Sequence, residues 1–212
     1  MYQTEQEEFW NGEFGDEYIE RNQGSQLVEA NKHFFKQALS GVPGGEVTSC
    51  IEFGANIGLN EDALYQLYPE MELDAIEINA KAASRLKSKK YIRNVYHTSI
   101  LEYEAQRTYD LVLIKGVLIH IDPNALGTVY EKLYRSTKKY LLVAEYYNPT
   151  PVEVEYRGHA ARLFKRDFCG EIMDKYGDLT LVDYGFVYHR DPVCPMGDMT
   201  WFLLQKQGMA VD

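Results

Sequence analysis

Residues 50 to 60 read Cys50-Ile51-Glu52-Phe53-Gly54-Ala55-Asn56-Ile57-Gly58-Leu59-Asn60, and residues 73 to 79 read Leu73-Asp74-Ala75-Ile76-Glu77-Ile78-Asn79. The first run predicts a buried strand that turns sharply through glycines into a helix. The second predicts a neighbouring buried strand that ends in a carboxylate. A strand, a glycine turn, a helix and an acid-tipped second strand open a parallel, doubly wound α/β sheet. Asn56 stands where a middle glycine would be usual, and asparagine tolerates left-handed backbone angles better than most residues. Glu77 falls about 20 residues after the turn, where the two hydroxyls of a nucleoside ribose meet an acid in such sheets.

Hydrophobic runs alternate with helical patterns along the rest of the chain. Strands are expected at Val47–Phe53, Leu73–Ile78, Val95–Thr98, Tyr109–Lys115 and Tyr140–Ala144. Helices are expected at Asn60–Tyr68, Ala80–Lys89, Ala125–Thr137 and Lys165–Lys175. Two last strands, Leu179–Tyr188 and Thr200–Lys206, are close enough to pair antiparallel through the loop Arg190–Asp198. The fold class is therefore α/β: a Rossmann-like, doubly wound, seven-stranded sheet, mostly parallel with an antiparallel C-terminal strand pair. At 212 residues the chain fits one domain, with an N-terminal helical lid over 1–40 and a core over 45–212 that carries an insertion around 148–170.

A net charge of -10 argues against a nucleic-acid partner, because phosphate binding relies on clustered Lys and Arg. Cys50, Cys169 and Cys194 are far apart, odd in number and lack zinc spacing, which fits a reducing compartment. No apolar stretch reaches about 18 residues, and the acidic N-terminus is unlike a targeting peptide. The expectation is a cytoplasmic protein without a membrane partner; the oligomeric state stays open. No clustered acidic motif for a metal stands out.

The turn itself speaks to the ligand. A dinucleotide fold uses G-x-G-x-x-G against a pyrophosphate. Here Glu52 precedes Gly54 and Gly58, and an acid at that strand end would repel a pyrophosphate. It suits the cationic amino group and sulfonium of S-adenosyl-L-methionine. The chain resembles the class I S-adenosylmethionine-dependent methyltransferases over residues 47 to 145, with Glu52, Gly54 and Gly58 as the first motif and Glu77 as the ribose-binding acid. The resemblance implies a cofactor site of Glu52, Gly54, Ala55, Asn56, Gly58, Glu77, Ile78, Ser99, Ile100, Lys115, Gly116 and Val117. Thr98-Ser99-Ile100 falls where the family carries an acid beside the adenine, and Ser99 is the expected replacement.

A narrower resemblance rests on Glu8-Phe9-Trp10, Gly12-Glu13-Phe14-Gly15-Asp16, Ala144-Glu145-Tyr146-Tyr147-Asn148-Pro149, Tyr156-Arg157-Gly158-His159 and Arg162 to Phe168. Together with the glycine turn, these are similar to the methyltransferases associated with pseudaminic acid biosynthesis. That resemblance implies a small-molecule acceptor, an acidic nonulosonic sugar or its nucleotide-activated form. His120 and Glu145 are candidate bases for the acceptor's proton, with packing or ion pairing as their alternatives. His159, a further candidate catalytic residue, is expected with Tyr156, Arg157, Arg162 and Lys165 to hold the acceptor's anionic group, with a helix surface paired to Asp167 and Glu171 as the alternative. Tyr146, Tyr147 and Asn148 are expected to line its pocket. At the N-terminus, helical spacing places Trp10, Phe14 and Tyr18 on one face. That face is expected to close over the cofactor as a lid, with Trp10 against it and Arg21 reaching the methionine carboxylate; a helix docked on the sheet edge is the alternative. A nucleobase methyltransferase, a reductase and a non-catalytic binding protein are the competing readings.

Overall fold

The computed structural model describes residues 2–208. Its central strands are short, mostly apolar runs, interrupted in β1 by buried Glu52 and in β2 by buried Asp74: β1 (Ser49–Phe53), β2 (Glu72–Glu77), β4 (Tyr109–Lys115) and β5 (Thr137–Glu145). They are buried nearly end to end, as strands covered by helices on both faces must be. β3 (Ile92–His97) closes one edge and is half-exposed. β8 (Leu179–Val187) and β9 (Met199–Lys206) complete a seven-stranded sheet in the order β3-β2-β1-β4-β5-β9-β8. The first five strands pair parallel, while β9 lies antiparallel to both β5 and β8. The strand order reverses between β1 and β4, and that reversal opens a crevice at the carboxyl ends.

Successive strand residues point to opposite faces, so each strand feeds two cores. On one face Ile51, Val112, Ile114 and Leu141 pack with Val129 and Leu133 of α6 (Leu126–Ser136) and Ile172 of α7 (Phe168–Lys175). On the other, Cys50, Leu111, Leu113 and Leu142 pack with Phe34 and Phe35 of α3 (Ser25–Ala38) and with Ala63 and Leu64 of α4 (Leu59–Leu67). α5 (Ala80–Lys87) lies beside β2 and β3, capped by Asn79, whose side chain accepts from the N–H groups of Lys81 and Ala82.

Three local expectations change. The N-terminal aromatic stretch is two helices rather than one, α1 (Glu5–Asn11) and α2 (Glu13–Arg21), because Gly12 takes an extended conformation between them. The rings still gather: Trp10 lies 5.5 Å from Phe14 and 5.2 Å from Tyr18, centroid to centroid. The insertion after β5 is a separate hairpin, β6 (Val152–Tyr156) and β7 (His159–Lys165). Its tight turn is Arg157-Gly158, both at positive φ, the backbone that two-residue hairpin loops require. α7 consequently begins at Phe168 and not Lys165; Lys165 belongs to β7, and Asp167 caps the helix by accepting from the Gly170 N–H.

The antiparallel end of the sheet is pinned by Trp201, 1 % exposed, packed across Gly185 of the neighbouring strand. A Cβ on Gly185 would come 2.7 Å from three atoms of the indole ring. Overpacking there forces a buried ring to move, which costs roughly 1–3 kcal/mol. Gly185→Ala should therefore lower the thermal midpoint by several degrees in calorimetry; an unchanged midpoint would show that the indole is free to shift.

Candidate functional site

The chain leaves β1 through Gly54 at φ +81° and Asn56 at φ +48°. A Cβ on Gly54 would lie 2.7 Å from Val117 Cγ2, so glycine is what lets this turn pass beneath the loop that follows β4. The Asn56 N–H then donates to Glu77 Oε2 at 2.7 Å, and the Asn79 N–H donates to Oε1 at 2.6 Å. Two backbone donors thus fix the carboxylate and leave each oxygen one lone pair. Burial pushes the Glu77 carboxyl up to about 7 against the pull of those N–H groups.

Glu77 and the glycine turn wall a cavity of about 420 Å³ at the carboxyl edge of the sheet. Gly54, Ala55, Asn56, Glu77 and Ile78 form one side, with Ser99 and Ile100 beyond Glu77. Lys115, Gly116 and Val117 form the β4 side. Trp10, His120, Tyr146 and Tyr156 form an aromatic end, where the imidazole sits 4.7 Å from the indole and 4.8 Å from the Tyr156 ring. His120 Nδ1 lies 2.6 Å from the Arg162 carbonyl. A carbonyl only accepts, so Nδ1 carries the proton and Nε2 keeps its lone pair. Burial pulls the His120 pKa down to about 4, so the ring is neutral at physiological pH.

Beneath the glycine turn lies a buried charge cluster. Asn60 Nδ2 donates to Glu52 Oε1 at 2.6 Å, while Glu52 Oε2 and both Glu61 oxygens have no N–H or O–H donor among the described residues. Burial pushes the Glu61 carboxyl well up, and the Glu52 charge pushes it further. The side chains of Glu52 and Glu61 face each other, and a raised carboxyl pKa on Glu61 lessens the like-charge contact between them. Burial pulls the Lys115 ammonium down, and the charges of Glu52, Glu145 and Glu61 hold it up. Its Nζ donates to Asn31 Oδ1 at 3.2 Å, and among the described residues it is the lysine or arginine of the cavity wall.

Several expected site residues lie elsewhere. Glu52 sits behind the turn, and Gly58 caps α4 against Leu86. Glu145 turns back into the fold: its Oε1 accepts from the N–H groups of Val117 and Leu118 at 2.9 and 2.8 Å, so it anchors the β4 loop instead of facing an acceptor. Tyr147 alternates away from Tyr146 and is exposed beside Phe202, and Asn148 closes a turn onto the Thr150 carbonyl. Arg21 pairs with Glu17 at 3.0 Å over the Phe14 ring, outside the cavity. Arg162 pairs with Glu5, Lys165 lies over the Tyr146 ring, and exposed His159 packs on Phe9 and Phe14. Arg157 sits in the hairpin turn beside Tyr156.

Other cavity residues escape the sequence reading. Glu7 and Gln6 of α1 reach the cavity from the N-terminus, Asn31 from α3, and Met196 and Gly197 from the β8–β9 loop. The Thr4-x-x-Glu7 spacing is a readable capping box, with the Thr4 hydroxyl accepting from the Glu7 N–H and the Glu7 carboxylate from the Thr4 N–H. That spacing marks where the helix starts, not what it will touch.

No protein-family model matches the chain, and no curated protein matches it. Solved structures do. A Burkholderia thailandensis 1,6-didemethyltoxoflavin-N1-methyltransferase, with bound 1,6-didemethyltoxoflavin and S-adenosylhomocysteine, superimposes over 96 % of this chain and 87 % of its own, with TM-score 0.66 and 16 % identity. The magnesium protoporphyrin IX methyltransferase of Synechocystis, with bound S-adenosylmethionine, does so over 98 % of this chain and all of its own, with TM-score 0.66 and 12 % identity. The N-methyltransferase NodS of Bradyrhizobium japonicum, in complex with S-adenosylhomocysteine, covers 91 % and 98 %, with TM-score 0.63 and 16 % identity.

The fold is that of the class I methyltransferases. It places β1, β2 and β4 around the cavity just described, and the antiparallel β8–β9 pair is part of the same layout. No helix among the described residues is long and apolar enough to cross a membrane, and among them no group of three His, Cys, Asp or Glu side chains is placed to hold a metal ion.

The Glu52–Glu61 pair generates a stability prediction. A carboxyl whose folded pKa lies above its unfolded value costs stability progressively as pH rises past the unfolded value. Glu61→Gln keeps a donor toward Glu52 without the titration. Urea melts should show the variant gaining on the wild type as pH rises from 6 to 8; a variant that loses stability across that range would place a needed charge on Glu61.

Proposed function

We propose that this chain transfers a methyl group from S-adenosyl-L-methionine to a small polar acceptor. The observation that carries the reading is Glu77, a carboxylate pinned by two backbone N–H groups at the tip of β2, with one lone pair left on each oxygen facing the cavity. That is the acceptor set a vicinal diol fills. The Gly54–Asn56 turn lets main chain approach a ligand closely, and Lys115 offers a buried cation for a carboxylate. The residues present fit the cofactor's three polar parts.

The bound cofactor would supply an electrophilic methyl on a sulfonium. The rest falls to the protein. Trp10, Tyr146 and Tyr156 exclude water and hold the acceptor's flat or apolar surface, and alignment of the acceptor supplies much of the rate. His120 Nε2 is the acceptor-side lone pair, locked in direction by the Arg162 carbonyl. A hydroxyl or amine becomes acidic as it is methylated, and Nε2 is placed to take that proton. A protein that only binds the cofactor has no need of that neutral, oriented imidazole.

Within this reading the acceptor is a nonulosonic acid of pseudaminic type or its nucleotide-activated form, handled in the cytoplasm. What supports an acidic acceptor is the hairpin. Arg157 makes no ion pair among the described residues and stands 5.9 Å over Tyr156, itself part of the cavity wall. Arg162 and Lys165 are engaged elsewhere and do not share that role. Mass spectrometry of nonulosonates, their CMP forms and common sugar nucleotides, each incubated with protein and S-adenosylmethionine, tests it. A one-methyl gain confined to a nonulosonate is the expected result, and a gain confined to a non-acidic compound contradicts this choice of acceptor.

Two predictions concern the cofactor. Glu77→Ala removes two hydrogen bonds to a charged group, each contributing about 1.5–3 kcal/mol, so calorimetry should show S-adenosylhomocysteine binding at least ~100-fold weaker. Because the diol is accepted by the ionised carboxyl and burial holds that pKa at about 7, affinity should fall roughly tenfold between pH 8 and pH 6. A flat profile would mean that Glu77 does not meet the ribose. His120→Ala should lower kcat by about 10²-fold or more while leaving cofactor affinity intact. Equal losses in both would make the imidazole a packing residue.

A further inference from the structure

Among the described residues two carboxylates line the cavity, Glu77 and Glu7. Glu77 marks the ribose position, so a nucleobase attached to that ribose lies beyond it, over Ile78, Ser99 and Ile100. Glu7 stands at that end. The Ser99 hydroxyl donates to Glu7 Oε1, and Ser99 Oγ accepts in turn from the Leu101 N–H at 3.0 Å. Glu7 Oε2 accepts from the N–H groups of Gln3 and Thr4 at 2.5 and 2.9 Å. Ser99 therefore has its proton committed, and Oε1 of Glu7 retains a lone pair on a residue only 8 % exposed.

An exocyclic amine offers two N–H donors and needs acceptors, which a carboxylate supplies without competing donors of its own. Building on the proposed cofactor, we propose that Glu7 is the group that recognises the amino group of the adenine. Ser99, the residue that sequence position alone assigns to that contact, instead aims the Glu7 carboxylate. The adenine pocket is thus completed by a residue 92 positions away in the chain, carried on a helix outside the seven-stranded sheet.

The helix is held in place by contacts at both ends. Gln6 Nε2 donates to the Ala161 carbonyl at 3.1 Å and Glu5 pairs with Arg162, which ties α1 to the hairpin. Asn79 Nδ2 donates to the Trp10 carbonyl at 3.3 Å and to Asp16 at 3.0 Å, which ties it to the tip of β2. Asn79 also supplies the N–H that fixes Glu77. The same segment of chain sets the carboxylate for the ribose and seats the helix that bears the carboxylate for the base.

The test compares S-adenosylhomocysteine with S-inosylhomocysteine, in which a carbonyl oxygen replaces the exocyclic amine. Both are titrated by calorimetry into the wild type and into Glu7→Gln. Glutamine still serves a capping box at this position, so the helix start is preserved, and its amide can donate to a carbonyl. The wild type should bind the adenine form at least ~10-fold more tightly, since a site built around a ligand's N–H rejects the analogue without it. Glu7→Gln should narrow that ratio below about threefold, with both proteins melting at similar temperatures. A ratio unchanged in Glu7→Gln, or no discrimination by the wild type, overturns the assignment. If the wild type binds neither compound, the cofactor reading itself fails, which is a separate outcome.

Discussion

The carboxylate of Glu77 joins the two pieces of chain on which the site depends. One oxygen takes the N–H of Asn56, in the turn after β1, and the other takes the N–H of Asn79, at the start of α5. The turn can reach that position only because Gly54 passes under Val117 without a side chain. Val117 is held in turn by Glu145, which draws the N–H groups of Val117 and Leu118 back toward β5. Strands β2, β1, β4 and β5 are neighbours in the sheet, so this chain of contacts runs across four strands. Removing any member loosens the floor of the cavity, including members that never touch a ligand.

Electrostatically the cavity is divided. The end proposed to hold the cofactor rests on buried carboxyls, Glu52, Glu61 and Glu77, whose pKa values burial raises, beside the buried ammonium of Lys115. The end proposed to hold the acceptor is neutral and aromatic, with His120 deprotonated by burial. Such a split suits a cationic ligand at one end and an acceptor whose nucleophile must stay uncharged until it reacts at the other. Charged groups of the hairpin sit outside this arrangement, at its rim or paired across the surface.

The sheet is legible in the sequence because its central strands are short, mostly apolar runs, and Glu77 because an acid at a strand tip after a glycine turn has few structural uses. The hairpin β6–β7 is not. β6 has no buried residue and β7 buries only the pair Leu163-Phe164, too short an apolar run to announce a strand. Glu145 and Tyr147 fall at the expected edge of the sheet, but the direction of a side chain at a strand end depends on which backbone donors the next loop offers. Arg21 points away because it pairs with Glu17 one turn back in α2 and lies over the Phe14 ring, local partners that a cofactor-directed reading of the stretch does not weigh. Glu7 is the least legible of all. Its local role, a capping box, is written in four residues, whereas its contact with Ser99 exists only once the N-terminal helices have docked on α5 through Asp16, Lys81 and Asn79. Burial is what turns a capping carboxylate into part of a binding site.

Direct titration of the wild-type protein with S-adenosylhomocysteine and, separately, with NAD tests the central claim most simply. Both ligands carry an adenosine whose ribose would meet Glu77, and they differ in the group attached to its 5′ carbon: a zwitterionic amino acid on a thioether or a pyrophosphate. One site per chain is expected for S-adenosylhomocysteine and no measurable heat for NAD. Tighter binding of NAD, or the absence of any binding by S-adenosylhomocysteine together with an unshifted melting temperature, would contradict it.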